Sequence, residues 1–372
     1  MSSQVYFTDL RTTSGEDIFT KLGKLLKQSG FYEFIQENDL VALKLHFGEE
    51  GTLAFIRPPY VGFVVQEIKR QKALAFLTDT NTVYKGSRSN SVDHLLTALR
   101  HGFSPEAVGA PVIISAGLRG QDAFVVEVNL KHFQEVRLAI ELKDIDKLIC
   151  LSHLTGHVQT GFGGAIKNLG MGLATKSAKL AMHSLAVPLV LEENCRGCGV
   201  CLKHCPGEAI RLEEREGRGK VAVIEPSACL GCGECIGVCP YGAMEIEWNE
   251  SAQNLQEKIC EHAYGVVKSV PVFCLNFLLD ITPACDCLDF SDAPIVPDIG
   301  ILASSDPVAI DQASVDLINR QSGLPGTALE RGLLPGEDKF KALYPEVDYT
   351  IQLRYGEQIG LGSRRYELVK VG

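Results

Sequence analysis

Eight cysteines of this sequence form two runs of one spacing, Cys-x-x-Cys-x-x-Cys-x-x-x-Cys-Pro, the second beginning 34 residues after the first. Such runs bind [4Fe–4S] clusters, because two-residue gaps let one tight loop direct three thiolates at one cubane while the fourth cysteine reaches the other cluster. The sequence therefore predicts two one-electron centres. By this crossed pattern, the first cluster takes Cys195, Cys198, Cys201 and Cys239, and the second takes Cys229, Cys232, Cys235 and Cys205.

The residues after each run repeat as well, as Gly-Glu-Ala-Ile-Arg-Leu-Glu and Tyr-Gly-Ala-Met-Glu-Ile-Glu. This internal repeat predicts a pseudo-symmetric module of the bacterial two-[4Fe–4S] ferredoxin type over residues 188–249. Disulfides and zinc are the alternatives. Disulfides require an oxidising compartment, and zinc sites do not use a doubled run of four thiols.

Strand-like and helix-like segments alternate on both sides of this module, which is typical of an α/β fold with a mostly parallel sheet. We therefore predict a discontinuous host domain, residues 1–187 plus 250–372, with the ferredoxin module inserted into it. The tail from Gly323 is predicted to form loops with one late strand over 366–371. Strand-like text covers 5–9, 40–47, 73–78, 111–115, 124–128, 147–151, 270–279 and 299–303, and helix-like text covers 17–30, 59–71, 91–101, 254–268 and 306–319.

Composition bounds the class of protein and its partners. The chain has 372 residues, 45% hydrophobic and 22% charged, as in ordinary globular proteins. A net charge of −10 argues against nucleic acid or an anionic membrane as the main partner. We see no signal peptide and no apolar stretch of membrane-helix length, so we expect a cytoplasmic protein. In the reducing cytoplasm, its thirteen cysteines would be thiols able to bind metal.

A second group of candidate catalytic and ligand-binding residues follows the strand that ends near residue 151. Glycines there allow a ligand to approach the backbone, and amides at a helix start attract anions. His157, Lys167 and His183 are predicted as catalytic residues; the alternative is that they are ordinary polar side chains. The predicted ligand- or cofactor-binding residues are Gly161, Gly163, Gly164 and Asn168.

Through His157, the Gly-Phe-Gly-Gly-Ala-Ile-Lys-Asn-Leu-Gly-Met-Gly segment and Asp-Pro-Val-Ala-Ile-Asp, the chain resembles the iron–sulfur family known as domain of unknown function 362. About thirty residues also resemble lactate racemases, in which a lysine anchors a nickel-pincer nucleotide. That resemblance implies a cofactor or substrate anchor at Lys167, a metal ligand at His183 and an acid/base at His157. The chain lacks the racemases' histidine after an earlier strand, has Gly-Met-Gly where they have Pro-Gly, and carries an insertion that they lack.

Cys285 and Cys287 lie one residue apart among three carboxylates, so both sulfurs could bind one metal ion or form a redox pair. The alternative is a loop pair with no chemical role. Lys44 and His46 are expected on a partly exposed strand face, and Lys85 and Arg88 in a solvated loop. Three further cysteines are predicted to be buried core residues: Cys150, Cys260 and Cys274.

Three functions fit these features. The first is an oxidoreductase whose two clusters pass single electrons to or from a site around His157, Lys167 and His183, with an electron donor or acceptor protein and a small-molecule substrate as partners. The second is a non-catalytic electron carrier or assembly partner. The third is a racemase-like enzyme with a further metal or organometallic cofactor and an accessory ferredoxin. Insertion of the module favours the first; the sequence leaves the oligomeric state open.

Overall fold

The computed structural model describes residues 2–183, 187–248 and 250–372. Its strands are β1 Ser3–Asp9, β2 Leu40–Lys44, β3 Leu74–Thr80, β4 Val112–Ser115, β5 Ala123–Glu127, β6 Glu135–Ala139, β7 Lys147–His153, β8 Thr155–His157, β9 Gly161–Gly163, β10 Leu189–Val190, β11 Ile210–Arg215, β12 Gly219–Ile224, β13 Met244–Glu245, β14 Val272–Leu278, β15 Gly300–Ser304 and β16 Tyr366–Lys370. Its helices are α1 Ile18–Gln28, α2 Phe31–Phe34, α3 Pro58–Arg70, α4 Ser91–Arg100, α5 Pro105–Val108, α6 Ala165–Gly170, α7 Lys176–His183, α8 Val200–Lys203, α9 Glu234–Val238, α10 Ala252–Ser269, α11 Pro307–Asn319, α12 Lys339–Leu343 and α13 Thr350–Gln358.

Eight strands form one large sheet in the order β16-β1-β15-β14-β7-β2-β3-β4. Only β15 runs antiparallel to its neighbours, β1 and β14, and the other pairings are parallel. The predicted α/β fold with a mostly parallel sheet is therefore confirmed. Parallel strands need long crossover connections, which explains the strand–helix alternation of the sequence.

Helices cover both faces of this sheet. In β7, Leu148 and Cys150 pack into one core with α6, α10, α11 and α13, while Ile149 and Leu151 pack into the other with α1 and α3. A strand buried on both faces must be almost continuously apolar, as β7 is until its polar carboxyl end at Ser152 and His153.

Residues 188–248 lie within the crossover that leads from β7 to β14. The hairpin β11–β12 and the short pair β10–β13 accompany helices α8 and α9. These helices begin after Gly199 and Gly233, which adopt left-handed backbone angles, φ 71° and φ 68°. Left-handed geometry favours glycine, so the sequence repeat is also a repeat of backbone conformation.

The prediction of loops in the tail was wrong, because the glycine- and proline-rich segment contains helices α12 and α13. The strand predicted over 124–128 is confirmed as β5, but it pairs outside the large sheet with β6, which was not predicted. Helix α4 begins after Asn90, whose Oδ1 accepts the amides of Val92 and Asp93 at 3.1 Å each. Across the described ranges, the structure contains no helix long and apolar enough to cross a membrane.

Candidate functional site

A cavity of about 570 Å³ opens beyond the carboxyl ends of four adjacent parallel strands, β14, β7, β2 and β3. This edge is where open α/β sheets bind ligands. The three residues predicted to be catalytic, Lys167, His157 and His183, all line it, as do Cys285 and Cys287. The structure thus brings together two groups of residues more than a hundred positions apart in sequence.

Lys167 lies on α6, and its side chain runs past Gly163, where a Cβ atom would lie 3.1 Å from Lys167 Cδ. Burial, helped by the neighbouring cations Arg88 and Lys44 and opposed by Asp286, lowers the pKa of Lys167 to about 8. The amine is therefore mostly charged at neutral pH and loses its proton far more readily than a surface lysine. Such an amine can hold an anion or exchange a proton.

The two histidines are neutral at neutral pH, because burial and Lys167 lower both pKa values, that of His157 well below its usual range and that of His183 to about 3. His157 Nδ1 accepts the amides of Gln159 and Thr160 at 3.2 and 3.1 Å, so the ring proton lies on Nε2. His183 packs edge-on against Trp248, and its buried Nδ1 has no hydrogen-bond partner among the described residues. A free imidazole nitrogen suits the metal-ligand role that the racemase resemblance implies.

The start of α6 does not offer its amides to a ligand. Asp311 of α11 accepts the amide of Ala165 at 2.7 Å and that of Ile166 at 2.9 Å. Gly164 makes room for this carboxylate, since a Cβ atom there would lie 2.4 Å from its Oδ1. The expected anion at the helix start is the protein's own side chain, and Asp311 fixes the helix that carries Lys167.

Two other predicted ligand-binding positions are occupied by internal contacts. Asn168 Oδ1 accepts a hydrogen bond from Lys44 Nζ at 2.7 Å, and its Nδ2 donates to Leu151 O at 2.9 Å. Gly161 has φ 75° and packs on Tyr349 away from the cavity. Asn168 nevertheless lines the cavity, as do Gly163 and Gly164, whereas Gly161 does not. A ligand-binding role remains a prediction for these positions.

A buried charge network lies at the strand ends beneath the cavity. Asp79 Oδ1 is 2.9 Å from Lys44 Nζ, and Asp79 Oδ2 is 3.5 Å from an Arg88 nitrogen and 3.6 Å from His94 Nε2. Arg88 Nε also lies 3.1 Å from Glu49 Oε2. Burial alone would raise the pKa of Asp79, but Lys44 and His94 hold it well below its usual range. Asp79 is therefore ionised.

The burial of this network differs from what the local sequence indicated. Lys44 is 1% exposed and Arg88 is 2% exposed, so the expected exposed strand face and solvated loop are wrong for both. His46 is half-buried and lines the cavity, while Lys85 is exposed as expected. Buried charges of this kind are retained where they are paired, and pairing across β2, β3 and the loop after β3 was not visible in local sequence.

Lys179 is a cation of the cavity wall that the sequence analysis missed. Its Nζ donates to Thr80 Oγ1 and to Asn81 O, both at 2.7 Å, and burial lowers its pKa to about 7. Its hydrogen-bond partners are uncharged oxygens, and the nearby Asp79 opposes the lowering of its pKa. With Lys167, it gives the cavity a positive lining suited to an anion.

A loop after β14 carries Cys285 and Cys287 into the cavity wall, where the two are joined by a disulfide. A ring nitrogen of His157 and the two sulfurs lie within 4.8 Å of one another. A disulfide does not ligate metal, so the predicted metal role stays a prediction for the reduced pair. Asp286 between them accepts from His153 Nδ1 at 2.9 Å, a contact that the sequence did not reveal.

The eight cysteines of the two runs are free and surround two small cavities. Each cavity gathers one of the predicted crossed ligand sets: three cysteines of one run with the last of the other. The residues therefore fit a pair of cubanes. The first cavity has Cys195, Cys198, Cys201 and Cys239 in its wall, and the second has Cys205, Cys229, Cys232 and Cys235.

Backbone amides point at several of these sulfurs. Ala209 N lies 3.3 Å from Cys205 Sγ, and Ala243 N, at the equivalent position of the repeat, lies 3.2 Å from Cys239 Sγ. Hydrogen bonds of this kind stabilise thiolate ligands and tune cluster potential.

The second cysteine cavity adjoins the large one through a single residue. A Cβ atom at Gly233 would lie 2.8 Å from Val83, and Val83 lines the large cavity. On the same side, Gln121 Nε2 donates to Cys232 O at 2.5 Å, and Arg119 pairs with Glu234. The cysteine-rich segment therefore contacts the loop after β3, at the cavity wall, and the loop between β4 and β5.

A mostly parallel α/β sheet with a cationic cavity at its strand ends, joined to two cysteine-lined cavities, defines the class of this protein. The chain belongs to the family described as Domain of unknown function (DUF362), whose model matches residues 41–316. No curated protein matches it.

Two solved structures are similar to the chain. The lactate racemase apoprotein from Thermoanaerobacterium thermosaccharolyticum is 13% identical with a TM-score of 0.44, over 86% of this chain and 59% of that one. A structural-genomics crystal structure of a Thermotoga maritima protein is 9% identical with a TM-score of 0.37, over 94% of this chain and 60% of that one. The chain thus spans about three-fifths of the length of either structure.

The depressed pKa of Lys167 gives a direct test of the site. With lysine labelled by ¹³C, we expect one Cε signal to titrate near pH 8, well below the ordinary 10.5, and to vanish in Lys167→Met. A second early transition should belong to Lys179 and vanish in Lys179→Met. The exposed Lys85→Met is the matched control and should leave both transitions unchanged. If every lysine titrates above about pH 10, the desolvated site does not exist.

Proposed function

We propose that this protein is an iron–sulfur oxidoreductase. In this proposal residues 188–249 form a ferredoxin-type module with two [4Fe–4S] clusters, held by the eight cysteines in their crossed sets. The clusters pass single electrons between a donor or acceptor protein and a substrate in the large cavity. When bound, they supply one-electron chemistry and nothing else.

The observation that carries this proposal is the contact at Val83. The loop holding three cysteines of the second set packs against a residue that forms the wall of the cavity containing Lys167, His157 and His183. A ferredoxin module that served only other proteins would need no such contact with a cavity rich in titratable groups.

The chain's own residues then have separate tasks. Lys167 binds the substrate, and its low pKa lets it give up or take back a proton at Nζ near neutral pH. His157 is neutral and offers an Nε2–H donor. The cavity wall carries four lysine and arginine side chains, Lys44, Arg88, Lys167 and Lys179, against two carboxylates, Asp79 and Asp286. The substrate class we propose is therefore a small anion, such as a carboxylate.

The test uses anaerobically reconstituted protein with its clusters reduced and the reductant removed. A library of small carboxylic and keto acids is added, and cluster reoxidation is followed by visible absorbance. For any compound that reoxidises the clusters, Lys167→Met should slow the reaction at least about 100-fold, as loss of one preorganised charged donor does, at unchanged iron content. Lys85→Met should react like the wild type.

A different result would favour another function. If no acid reoxidises the clusters, and Lys167→Met reduces a protein acceptor as fast as the wild type does, the electron-carrier hypothesis replaces this one. If the isolated protein contains stoichiometric nickel and a mass adduct on Lys167, the racemase-like hypothesis does.

A further inference from the structure

The disulfide at Cys285 and Cys287 is held rigidly in the cavity wall by contacts on three sides. Gly156 N donates to Thr282 O at 2.9 Å, Glu49 N donates to Asp286 O at 2.9 Å, and the Tyr84 hydroxyl donates to Cys287 O at 3.0 Å. These contacts tie the loop to β8, to the segment after β2 and to the loop after β3. Thus both sulfurs stay beside the cavity in which a substrate would bind.

The third contact also leads toward the iron–sulfur segment. Tyr84, which contacts Cys287, follows Val83 directly in the chain, and Val83 meets the cysteine loop at Gly233. Val83 also belongs to the same hydrophobic cluster as Cys235 of the second ligand set. A continuous line of packed residues therefore connects the second cluster site with the disulfide.

The other cysteines outside the ferredoxin-type runs have no such setting. Cys150 and Cys274 are paired positions on β7 and β14 inside the sheet, fully buried in the core. Cys260 lies in the core on α10, and its Sγ donates a hydrogen bond to Gln352 O at 3.2 Å. Among the described cysteines outside the two runs, only Cys285 and Cys287 lie beside both the cavity and the packed residues that lead to the second cluster site.

We propose that Cys285 and Cys287 are a redox-active pair that stores two electrons between the clusters and the substrate. The sulfur–sulfur bond breaks as it receives one electron from each reduced cluster and two protons from solvent in the open cavity, giving two thiols. Transfer of two electrons to the substrate re-forms the bond and releases the two protons. A donor protein re-reduces the clusters. The electron source rests on the proposed function; the placement of the sulfurs does not.

This pair would explain how one-electron centres serve a two-electron reaction. Each cluster carries a single electron, whereas closing or opening a disulfide moves two. The nearby His157 presents an imidazole nitrogen within 4.8 Å of both sulfurs, where it can hydrogen-bond a thiol of the opened pair.

The experiment counts electrons in the holoprotein. Oxidised protein is titrated anaerobically with methyl viologen radical, with cluster reduction followed by electron paramagnetic resonance. We expect the wild type to take up about four equivalents, two for the clusters and two for the disulfide, and the double variant Cys285→Ser/Cys287→Ser to take up about two. Cys260→Ser, a buried cysteine with a polar partner, is the matched control and should take up four.

Alkylation with iodoacetamide and peptide mass spectrometry locates the thiols. Cys285 and Cys287 should be unlabelled before reduction and labelled after it. Uptake of two equivalents by the wild type, or labelling of both residues before any reductant is added, overturns the proposal even when the cluster signals are normal. Absence of the cluster signals instead refutes the proposed function. In that case, labelling of Cys285 and Cys287 by iodoacetamide only after dithiothreitol treatment would still test whether the two form a disulfide.

Discussion

Replacing Cys239 with alanine should remove the first cluster and leave the second in place, lowering the iron content from about eight to about four per chain. The reason is geometric. Cys239 ends the second run, but it lies in the wall of the cavity formed by Cys195, Cys198 and Cys201. Because three remaining thiols hold a cubane poorly, we expect electron transfer from the donor protein to fall to background as well.

Double variants turn this into a test of the crossed pairing. Cys198→Ala combined with Cys239→Ala should lose no more iron than either change alone, since both serve one cluster. Cys232→Ala combined with Cys239→Ala should lose nearly all of it. The opposite pattern, with Cys232 and Cys239 behaving as one unit, would show that each run binds its own cluster. Cys260→Ala, outside both cavities, should keep all its iron.

Asp79→Asn is expected to destabilise the host sheet by about 3–5 kcal/mol, the typical cost of leaving a buried charge without its partner. The substitution leaves Lys44 without its counter-ion and Arg88 with only Glu49. Urea unfolding of the anaerobic holoprotein measures the change. Glu37→Gln breaks an ion pair with Lys72 that is mostly exposed, and its cost should stay below about 1 kcal/mol.

The pH dependence has a fixed sign. The pKa of Asp79 is held below its ordinary 3.8 in the folded protein, so its stabilising effect is present above that value and is lost as the pH falls through the folded-state pKa. The gap between wild type and Asp79→Asn should therefore persist down to about pH 4. A gap under 1 kcal/mol at neutral pH would mean that water, not Asp79, solvates the two cations.

The features of the fold and site that could be predicted from the sequence are those whose contacting residues lie close together in the chain. The cluster cysteines and the glycine loop with Lys167 are local patterns, and the structure gathers their members as the spacing indicated. Asp286 meets His153 across 133 positions, and Lys44 meets Asp79 only because β2 pairs with β3 in one register. Such contacts follow from tertiary packing, which no window of sequence contains.

Helices α12 and α13 of the tail also could not be predicted from local sequence. Their sequences are short, and glycine and proline dominate the text around them, so local propensity favoured loops. Tertiary packing determines them instead, because Phe340 of α12 and Tyr349 before α13 pack against Phe162 in β9, next to the glycine loop. Helices this short gain most of their stability from such contacts.

Placing the ferredoxin-type segment inside the crossover from β7 to β14 also separates two entrances. Cys198 in the first ligand set is exposed, whereas Trp248, at the end of the segment, is the one described residue of 188–248 that lines the large cavity. Under the proposed function, a reducing partner would therefore approach a different surface of the molecule from a small reactant. A saturating partner would leave the large cavity open to the reactant. In steady-state kinetics we therefore expect neither to act as a competitive inhibitor of the other.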